Sequence, residues 1–341
     1  WPAGGGPDLA RLERLLQVFI YNSFDQGGGD DNMEAGGVYV AASMLSHSCA
    51  PNAVWHLDEN NSYHLHARQD IEEGEEITIS YLGVSDLCLP SPERRDILSA
   101  SKDFVCACER CTARLEDTRV FDCPRCRKAG GAVALAAAAP PGDGALECSV
   151  CGGLSGEECA APLACEAELR EFARALPEFH QRSTAPELPP ECRGATAAAL
   201  LSRAEAGGVA GAHWILDALR NAAAEEAPER LCELLRLRAR ACGAGRPWLL
   251  SKYARLCSAL GRALRRGPEE PEHLREAVEA FAAAGRALAT LFGEDDPEFL
   301  EAEELREAAS RRLTAARRAA PPAAPAGPAQ REGAGVGARI A

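Results

Sequence analysis

Leu45-Ser46-His47-Ser48-Cys49-Ala50-Pro51-Asn52, LSHSCAPN, decides how the rest of this chain is read. The apolar turn Ser43-Met44-Leu45 leads into it, and the alternating segment Ala53-Val54-Trp55-His56-Leu57 leads out. Small and polar residues closing on Pro-Asn mark a bend. A His and a Cys two residues apart in such a bend raise the question of what the thiol binds. Downstream, Phe104-Val105-Cys106-Ala107-Cys108-Glu109-Arg110-Cys111 offers three thiols within six residues. A structural zinc ion takes four ligands in a tetrahedron, so this cluster is one short. Cys49 is the one other Cys in a polar turn before it. Cys88 competes on position, but it sits between Leu87 and Leu89 and reads as a small buried hydrophobe.

A second set is complete in itself. Cys123-Pro124-Arg125-Cys126 and Cys148-Ser149-Val150-Cys151 are two CxxC knuckles, each aiming two thiolates at one ion. The spacing predicts a zinc ribbon held by Cys123, Cys126, Cys148 and Cys151, and with the first cluster two Zn2+ ions per chain. The remaining thiols at 159, 165, 192, 232, 242 and 257 fall in or near helical patterns and are expected in cores, with Cys159 held open. His64 and His66 share one strand face and His56 lies across the hairpin. A His metal site is conceivable there, and a half-exposed hairpin face is the preferred expectation.

The chain has 341 residues, 46% of them hydrophobic, a length that suits two or three domains. Its formal net charge of −14 disfavours a duplex nucleic-acid binder and favours basic partners such as Lys-rich segments. Arg125, Arg127 and Lys128 are the only basic cluster near the ribbon, with few aromatics for stacking on bases. Nothing approaches the roughly 20 apolar residues that span a bilayer. Trp1-Pro2-Ala3-Gly4-Gly5-Gly6 has neither a basic nor an apolar leader region. Paired thiols without a secretion signal point to a reducing compartment, and the protein is expected in the cytoplasm, the nucleus or both, as a monomer with no membrane association.

Residues 8–24 carry Leu9, Leu12, Leu15, Leu16, Phe19 and Ile20 at helical spacing. Gln26 to Asn32 is a Gly and Asp loop. Strands are expected within 36–81, with a hairpin around Asp58-Glu59-Asn60-Asn61-Ser62 and an alternating strand over Ile77, Ile79 and Tyr81. Ser91-Pro92 predicts a helix to about Lys102 with Ser91 as cap. The low-complexity stretch Ala132 to Gly144 interrupts the ribbon. From about 163 to 315 the pattern is helical: Leu169, Phe172, Leu176 and Phe179 share a face, as do Leu249, Tyr253, Leu256, Leu260 and Leu264, and Leu274, Val278 and Phe281. Gly293 followed by Asp296-Pro297 marks a helix break. Residues 316–341 are too poor in large apolar groups to fold.

Taken in order, GGVYVAASMLSHSCAPN, ARQDIEEGEEITISYL, SPERRDIL and FVCACERC resemble the C-terminal half of a SET-domain lysine methyltransferase, most closely the SET-and-MYND (SMYD) family. The resemblance covers about residues 10–112, with a weaker likeness of the helical region to that family's tetratricopeptide-like domain. It implies an α+β protein: a β-rich SET portion over 1–103, a post-SET zinc segment over 104–112, a ribbon-like insert over 113–160, an all-α domain over 161–315 and a disordered tail over 316–341.

The resemblance also implies roles. Cys49 would complete the post-SET zinc with Cys106, Cys108 and Cys111. Asn22, Ser43, Ser46, His47, Tyr81 and Phe104 would line an S-adenosyl-L-methionine site, His47 through its backbone and Phe104 against the adenine. Tyr81 and Phe24 would be the catalytic hydroxyl and a wall of the lysine channel. The activity implied is N-methylation of a lysine in a protein or peptide, histone or not. Departures accompany it. Ser46 stands where the family usually has Asn, and Ser offers one hydroxyl in place of an amide. Lys102 stands where a channel Tyr is usual. The Gly-rich cofactor strand and the MYND finger have no match. The chain is therefore expected to be the C-terminal part of such a protein, the alternative being a catalytically impaired SET-like zinc scaffold that binds other proteins.

Overall fold

The computed structural model describes residues 8–25, 36–58, 60–126, 133–137, 146–174, 196–243, 245–268 and 270–319. Helix α1 (Leu9–Asn22) starts where the Asp8 carboxylate accepts from the Arg11 N–H, 3.1 Å away. Its apolar stripe follows the predicted spacing, yet none of the helix is buried. The helix stops two residues short of the predicted end, because Ser23 is extended and begins strand β1 (Ser23–Asp25). β1 pairs antiparallel with β2 (Gly36–Val38), and this carries Phe24 into an apolar core. The loop expected over Gln26–Asn32 lies outside the described residues.

A short 3-10 turn over Ala42–Met44 leads into β3 (Ser46–His47). Strands β4 (Ala53–Leu57) and β5 (Tyr63–Ala67) form the predicted hairpin. Asp58 closes it, its Oδ1 accepting from the N–H groups of Asn60 (2.9 Å) and Ser62 (2.7 Å). β6 (Thr78–Ile79) returns alongside β3 in parallel, Ser46 opposite Thr78 and His47 opposite Ile79. The strand expected from Ile77 to Tyr81 shrinks to these two residues. Its far end leaves the ladder because the Tyr81 N–H bonds a side chain, the His47 ring, at 3.0 Å.

Helix α2 (Ser91–Lys102) confirms the sequence expectation in extent but not in its cap. Pro90 is the cap residue, and the orphan N–H of Ser91 is taken by the Glu116 carboxylate at 2.7 Å. A one-turn helix α3 (Glu109–Thr112) follows. The ribbon sheet runs β10 (Gly152–Gly153), β9 (Leu146–Cys148), β8 (Val133–Ala137), β7 (Leu115–Asp122). Most of the low-complexity stretch inside it lies outside the described residues.

Among the described residues seven helices follow: α4 (Gly156–Arg174), α5 (Ala197–Ala206), α6 (Trp214–Glu226), α7 (Leu231–Gly243), α8 (Leu250–Arg266), α9 (Pro271–Phe292) and α10 (Pro297–Ala319). Leu176 and Phe179 fall outside the described residues. The break after Phe292 is as predicted: Gly293 takes φ 92°, and Asp296 caps α10 by accepting from the N–H groups of Glu298 (2.8 Å) and Phe299 (3.2 Å). α10 continues three residues past 316, into the predicted tail, and the rest of that tail lies outside the described residues.

Apolar packing cuts across chain order. Phe24, Ala42, Ala53 and Ile79 make a small SET core. Leu82, Leu87 and Leu98 share a second core with Cys49, Cys106, Cys111 and the inner faces of α7 to α10. The ribbon's Phe121 and Leu146 join α4, α5 and α6 in a third. The SET portion thus sits on the late helices, and Arg68 clamps the contact by donating to the carbonyl of Trp248 at 3.0 Å.

Candidate functional site

Four thiols meet under the LSHSCAPN bend. Cys49 arrives from the bend, Cys106 and Cys108 from the segment after α2, and Cys111 from α3. One sulfur from each lies within 4.8 Å of all the others. The Cys49–Cys111 and Cys49–Cys106 sulfur separations are 3.5 and 4.0 Å. A tetrahedral zinc with Zn–S of about 2.3 Å spaces its sulfurs by about 3.8 Å, between these two values. The donor set therefore fits zinc, and it fits with Cys49 as the fourth ligand. Cys88 is instead buried in the core, its sulfur 3.4 Å from the Lys252 ammonium.

Local sequence explains the arrangement. Four thiolates on a divalent ion leave two negative charges to be offset in a buried place. The fully buried guanidinium of Arg94, from α2, reaches Cys111 Sγ at 3.6 Å and is itself held by Glu116 at 3.5 Å. Arg95, one residue on, donates to the carbonyls of Cys106 and Cys111, each at 2.9 Å. Arg110 donates to the Cys49 carbonyl (3.2 Å) and pairs with Asp117 (3.1 Å). None of these three arginines was singled out from sequence. Their only sequence signal is their closeness to the Cys run.

The ribbon thiols also close. Cys123 and Cys151 stand 3.5 Å apart and Cys126 and Cys148 3.8 Å apart. Backbone N–H groups of Cys126, Val150 and Cys151 point at the sulfurs of Cys123 and Cys148 at 3.4–3.5 Å, as knuckles around a metal do. Arg125, one of the three basic residues near the ribbon, is spent on a two-pronged pair with Glu158 at 2.6 Å. Arg127 and Lys128 lie outside the described residues.

His47 joins the first thiol cluster to Tyr81. Its Nδ1 accepts the Tyr81 N–H at 3.0 Å, so the proton of the neutral ring sits on Nε2, which lies 3.3 Å from Cys49 Sγ. Burial pushes the His47 pKa down to about 4, so the ring is neutral at pH 7. Tyr81 donates its hydroxyl to the Leu45 carbonyl at 2.5 Å. Burial, with Glu76 adding to it, pushes that phenol up and keeps it a donor. Phe104 completes the group, its ring 5.9 Å from His47 and 6.4 Å from Tyr81.

Phe24 stands on the other side of Tyr81. It packs edge-on to Trp55 (5.0 Å) and Tyr63 (5.1 Å), with Tyr39 at 6.0 Å, and Tyr81 packs against the same cluster. Tyr39, Trp55 and Tyr63 were not singled out from sequence; the signal that could have found two of them is the single large aromatic on each hairpin strand, Trp55 on β4 and Tyr63 on β5. Tyr63 keeps a buried hydroxyl without a hydrogen bond among the described residues, and burial beside Tyr81 pushes its pKa well up. The remaining candidates are spent locally. Asn22 donates its amide to the Val18 carbonyl of its own helix (2.9 Å), and Ser43 its hydroxyl to the Tyr39 carbonyl (2.9 Å). Ser46 donates to the Glu76 carboxylate at 2.5 Å. Lys102 places its ammonium 5.7 Å from the Tyr81 ring centre and 2.9 Å from the Tyr21 carbonyl.

Asn52 locks these parts together. It is buried, its amide donates to Glu75 (3.0 Å) and the Glu76 carbonyl (2.9 Å), and its oxygen accepts the Thr78 N–H (2.8 Å). One side chain thus fixes the bend against β6 and, through it, Tyr81.

Comparison with known proteins agrees with this geometry. The SET domain family matches residues 17–82. Protein-lysine N-trimethyltransferase SMYD5 of Danio rerio is 38% identical over 116 residues, which is 32% of this chain and 28% of that protein. Human SMYD5, of the same description, is 37% identical over 115 residues, covering 33% of this chain and 27% of that protein. Human histone-lysine N-methyltransferase SMYD3 is 39% identical over 113 residues, covering 33% and 25%. The matched part therefore spans between a quarter and a third of these relatives' length. With the SET match over the LSHSCAPN bend and its neighbours, this part of the chain is similar to SMYD-type SET-domain proteins.

Proposed function

We propose that this chain takes part in S-adenosylmethionine-dependent N-methylation of lysine in a protein substrate, with Zn2+ at both thiol clusters. One observation carries the reading. The LSHSCAPN bend supplies a thiol to the zinc cluster and, through the His47 ring, fixes the backbone of Tyr81. The methyl donor, when bound, supplies an electrophilic methyl group on a positively charged sulfur. What the protein must add is alignment and a neutral amine.

The residues suit that task. The rings of His47, Tyr81 and Phe104 form an apolar edge on which an adenosyl group can rest. Phe24, Tyr39, Trp55 and Tyr63 form the neighbouring aromatic cluster against Tyr81. A lysine passing such rings loses water, and desolvation lowers the pKa of its ammonium. The Tyr63 hydroxyl, buried without a hydrogen bond among the described residues, is a ready donor or acceptor for the incoming amine. Tyr81 is oriented at both ends, by its N–H on His47 and its hydroxyl on Leu45. The net charge of −14 favours a Lys-rich target, and the reading takes the protein as a monomer of the cytoplasm or nucleus, not bound to nucleic acid or membrane.

Transfer of labelled methyl groups to Lys-rich protein substrates, compared between wild type and Tyr81→Phe, tests the reading. Loss of about 10²-fold in the variant is expected, the cost of a misaligned reacting pair. Equal rates would refute it. A second reading, a catalytically impaired scaffold, rests on Lys102. Its ammonium already occupies the face of Tyr81 in place of an aromatic wall. A wild type without methyl transfer that gains it in Lys102→Tyr would favour the scaffold.

A further inference from the structure

Outside the two thiol clusters, a third group of ligating side chains stands on the β4–β5 hairpin. His56 and His64 face each other across the ladder, and His66 lies diagonally from His56 on the same face. The His56 ring stacks on His64 (5.0 Å, 9° between planes) and on His66 (5.2 Å, 20°). One ring nitrogen from each lies within 4.8 Å of the other two. A tetrahedral ion with Zn–N of about 2.0–2.1 Å needs its nitrogens about 3.3 Å apart. Modest rotation about His χ2, a broad torsion, closes the difference.

The surroundings favour a ligand over a plain hairpin face. Asp58 Oδ2 holds His64 Nε2 at 3.2 Å, which leaves Nδ1 as the donor, as in carboxylate–histidine–metal relays. His56 Nδ1 is buried without a hydrogen bond among the described residues. Burial, with the neighbouring imidazoles adding to it, pushes the His56 and His66 pKa values down, so their lone pairs are available at neutral pH. Phe292 packs edge-on to His56 at 5.1 Å, and the field of Asp296 acts on both rings. The three rings therefore sit where the hairpin meets the corner between α9 and α10.

We propose that His56, His64 and His66 form a third metal site, which takes a divalent transition ion such as Zn2+ through three imidazole nitrogens. Three nitrogens leave the fourth position open to water or to a carboxylate. Imidazole donors select zinc, copper or nickel over magnesium or calcium. An ion there would cross-link strands β4 and β5 beside the Phe292 end of α9.

Calorimetric titration of the full chain with ZnCl2, its two thiol sites already filled, tests the proposal, with zinc counted by mass spectrometry after gel filtration. The wild type should bind a third equivalent, and MgCl2 should not compete. The double variant His64→Gln/His66→Gln should lose that equivalent and keep two. Both replaced side chains are at least partly exposed, and circular dichroism checks that the fold is kept. Asp58→Asn keeps an oxygen for the hairpin turn and should weaken the third equivalent by about 10–100-fold. A wild type that stops at two ions, a third ion that survives in the double variant, or equal competition by magnesium would each overturn the proposal.

Discussion

Replacing His47 by Phe separates the structural link between the zinc cluster and Tyr81 from everything else in the protein. Phe keeps a flat ring between Tyr81 and Phe104, so the packing change is small. It removes an acceptor 3.0 Å from the Tyr81 N–H and a donor 3.3 Å from Cys49 Sγ. Leaving a half-buried backbone N–H without its partner costs about 1–3 kcal/mol. Losing a hydrogen-bond partner of a metal ligand lowers metal affinity by about 10–100-fold, or about 1.4–2.7 kcal/mol. Zinc competition against a chromophoric chelator reads both clusters in one experiment. The ribbon at Cys123, Cys126, Cys148 and Cys151 makes no contact with His47 and is the internal control. The cluster at Cys49 should release zinc earlier by the stated factor while the ribbon is unchanged. Unaltered release at both clusters, or equal weakening at both, would refute the linkage.

Three further outcomes follow from buried contacts. Asn52→Ala orphans the Thr78 N–H and the partners at Glu75 and Glu76, and should lower stability in urea unfolding by about 1–3 kcal/mol. Asp217 lies between Arg238 (2.9 Å) and Lys252 (2.5 Å), and although burial alone would raise its pKa, those two cations hold it well below the usual carboxylate range. Its stabilisation is complete above about pH 5 and is lost as pH falls below about 4, toward the folded value, so acid unfolding should steepen there and be blunted in Asp217→Asn. That variant, which takes the carboxylate charge away from Arg238 and Lys252, should cost about 3–5 kcal/mol at neutral pH. A Cβ added to Gly261 would stand 2.8 Å from the Phe281 ring, so Gly261→Ala should lower the thermal midpoint through overpacking of about 1–3 kcal/mol.

Spacing made the metal clusters and the hairpin legible, because thiols two or three residues apart and a polar turn between alternating runs have few other uses. Cys49 stood out as the candidate fourth thiol from its polar turn, the family resemblance pointed to the same residue, and its sulfur lies 3.5 and 4.0 Å from those of Cys111 and Cys106. Helix ends were less legible where a distant residue decided them. Glu116 caps α2 from a strand that follows it, and no pattern within residues 88–95 could show that. Strand β6 was overestimated for the same reason, since the His47 ring takes the N–H that alternation assigned to a ladder. The buried arginines behind the Cys49 thiol cluster and the tyrosines around Phe24 escaped notice because isolated charges and aromatics acquire meaning only through contacts. Ser46 and Lys102, marked from sequence as departures, both have partners here, Glu76 for one and the Tyr81 ring for the other.

The proposed function turns on whether the thiol-anchored bend helps to hold the methyl donor. Calorimetric titration of the protein with S-adenosylmethionine, in wild type and in Cys49→Ser, tests it most directly. The account expects one binding event in the wild type and clearly weaker binding in the variant, in step with the loss of one zinc ion and with the ribbon zinc retained. No binding by the wild type, or equal binding by a variant shown to have lost that zinc, would contradict it.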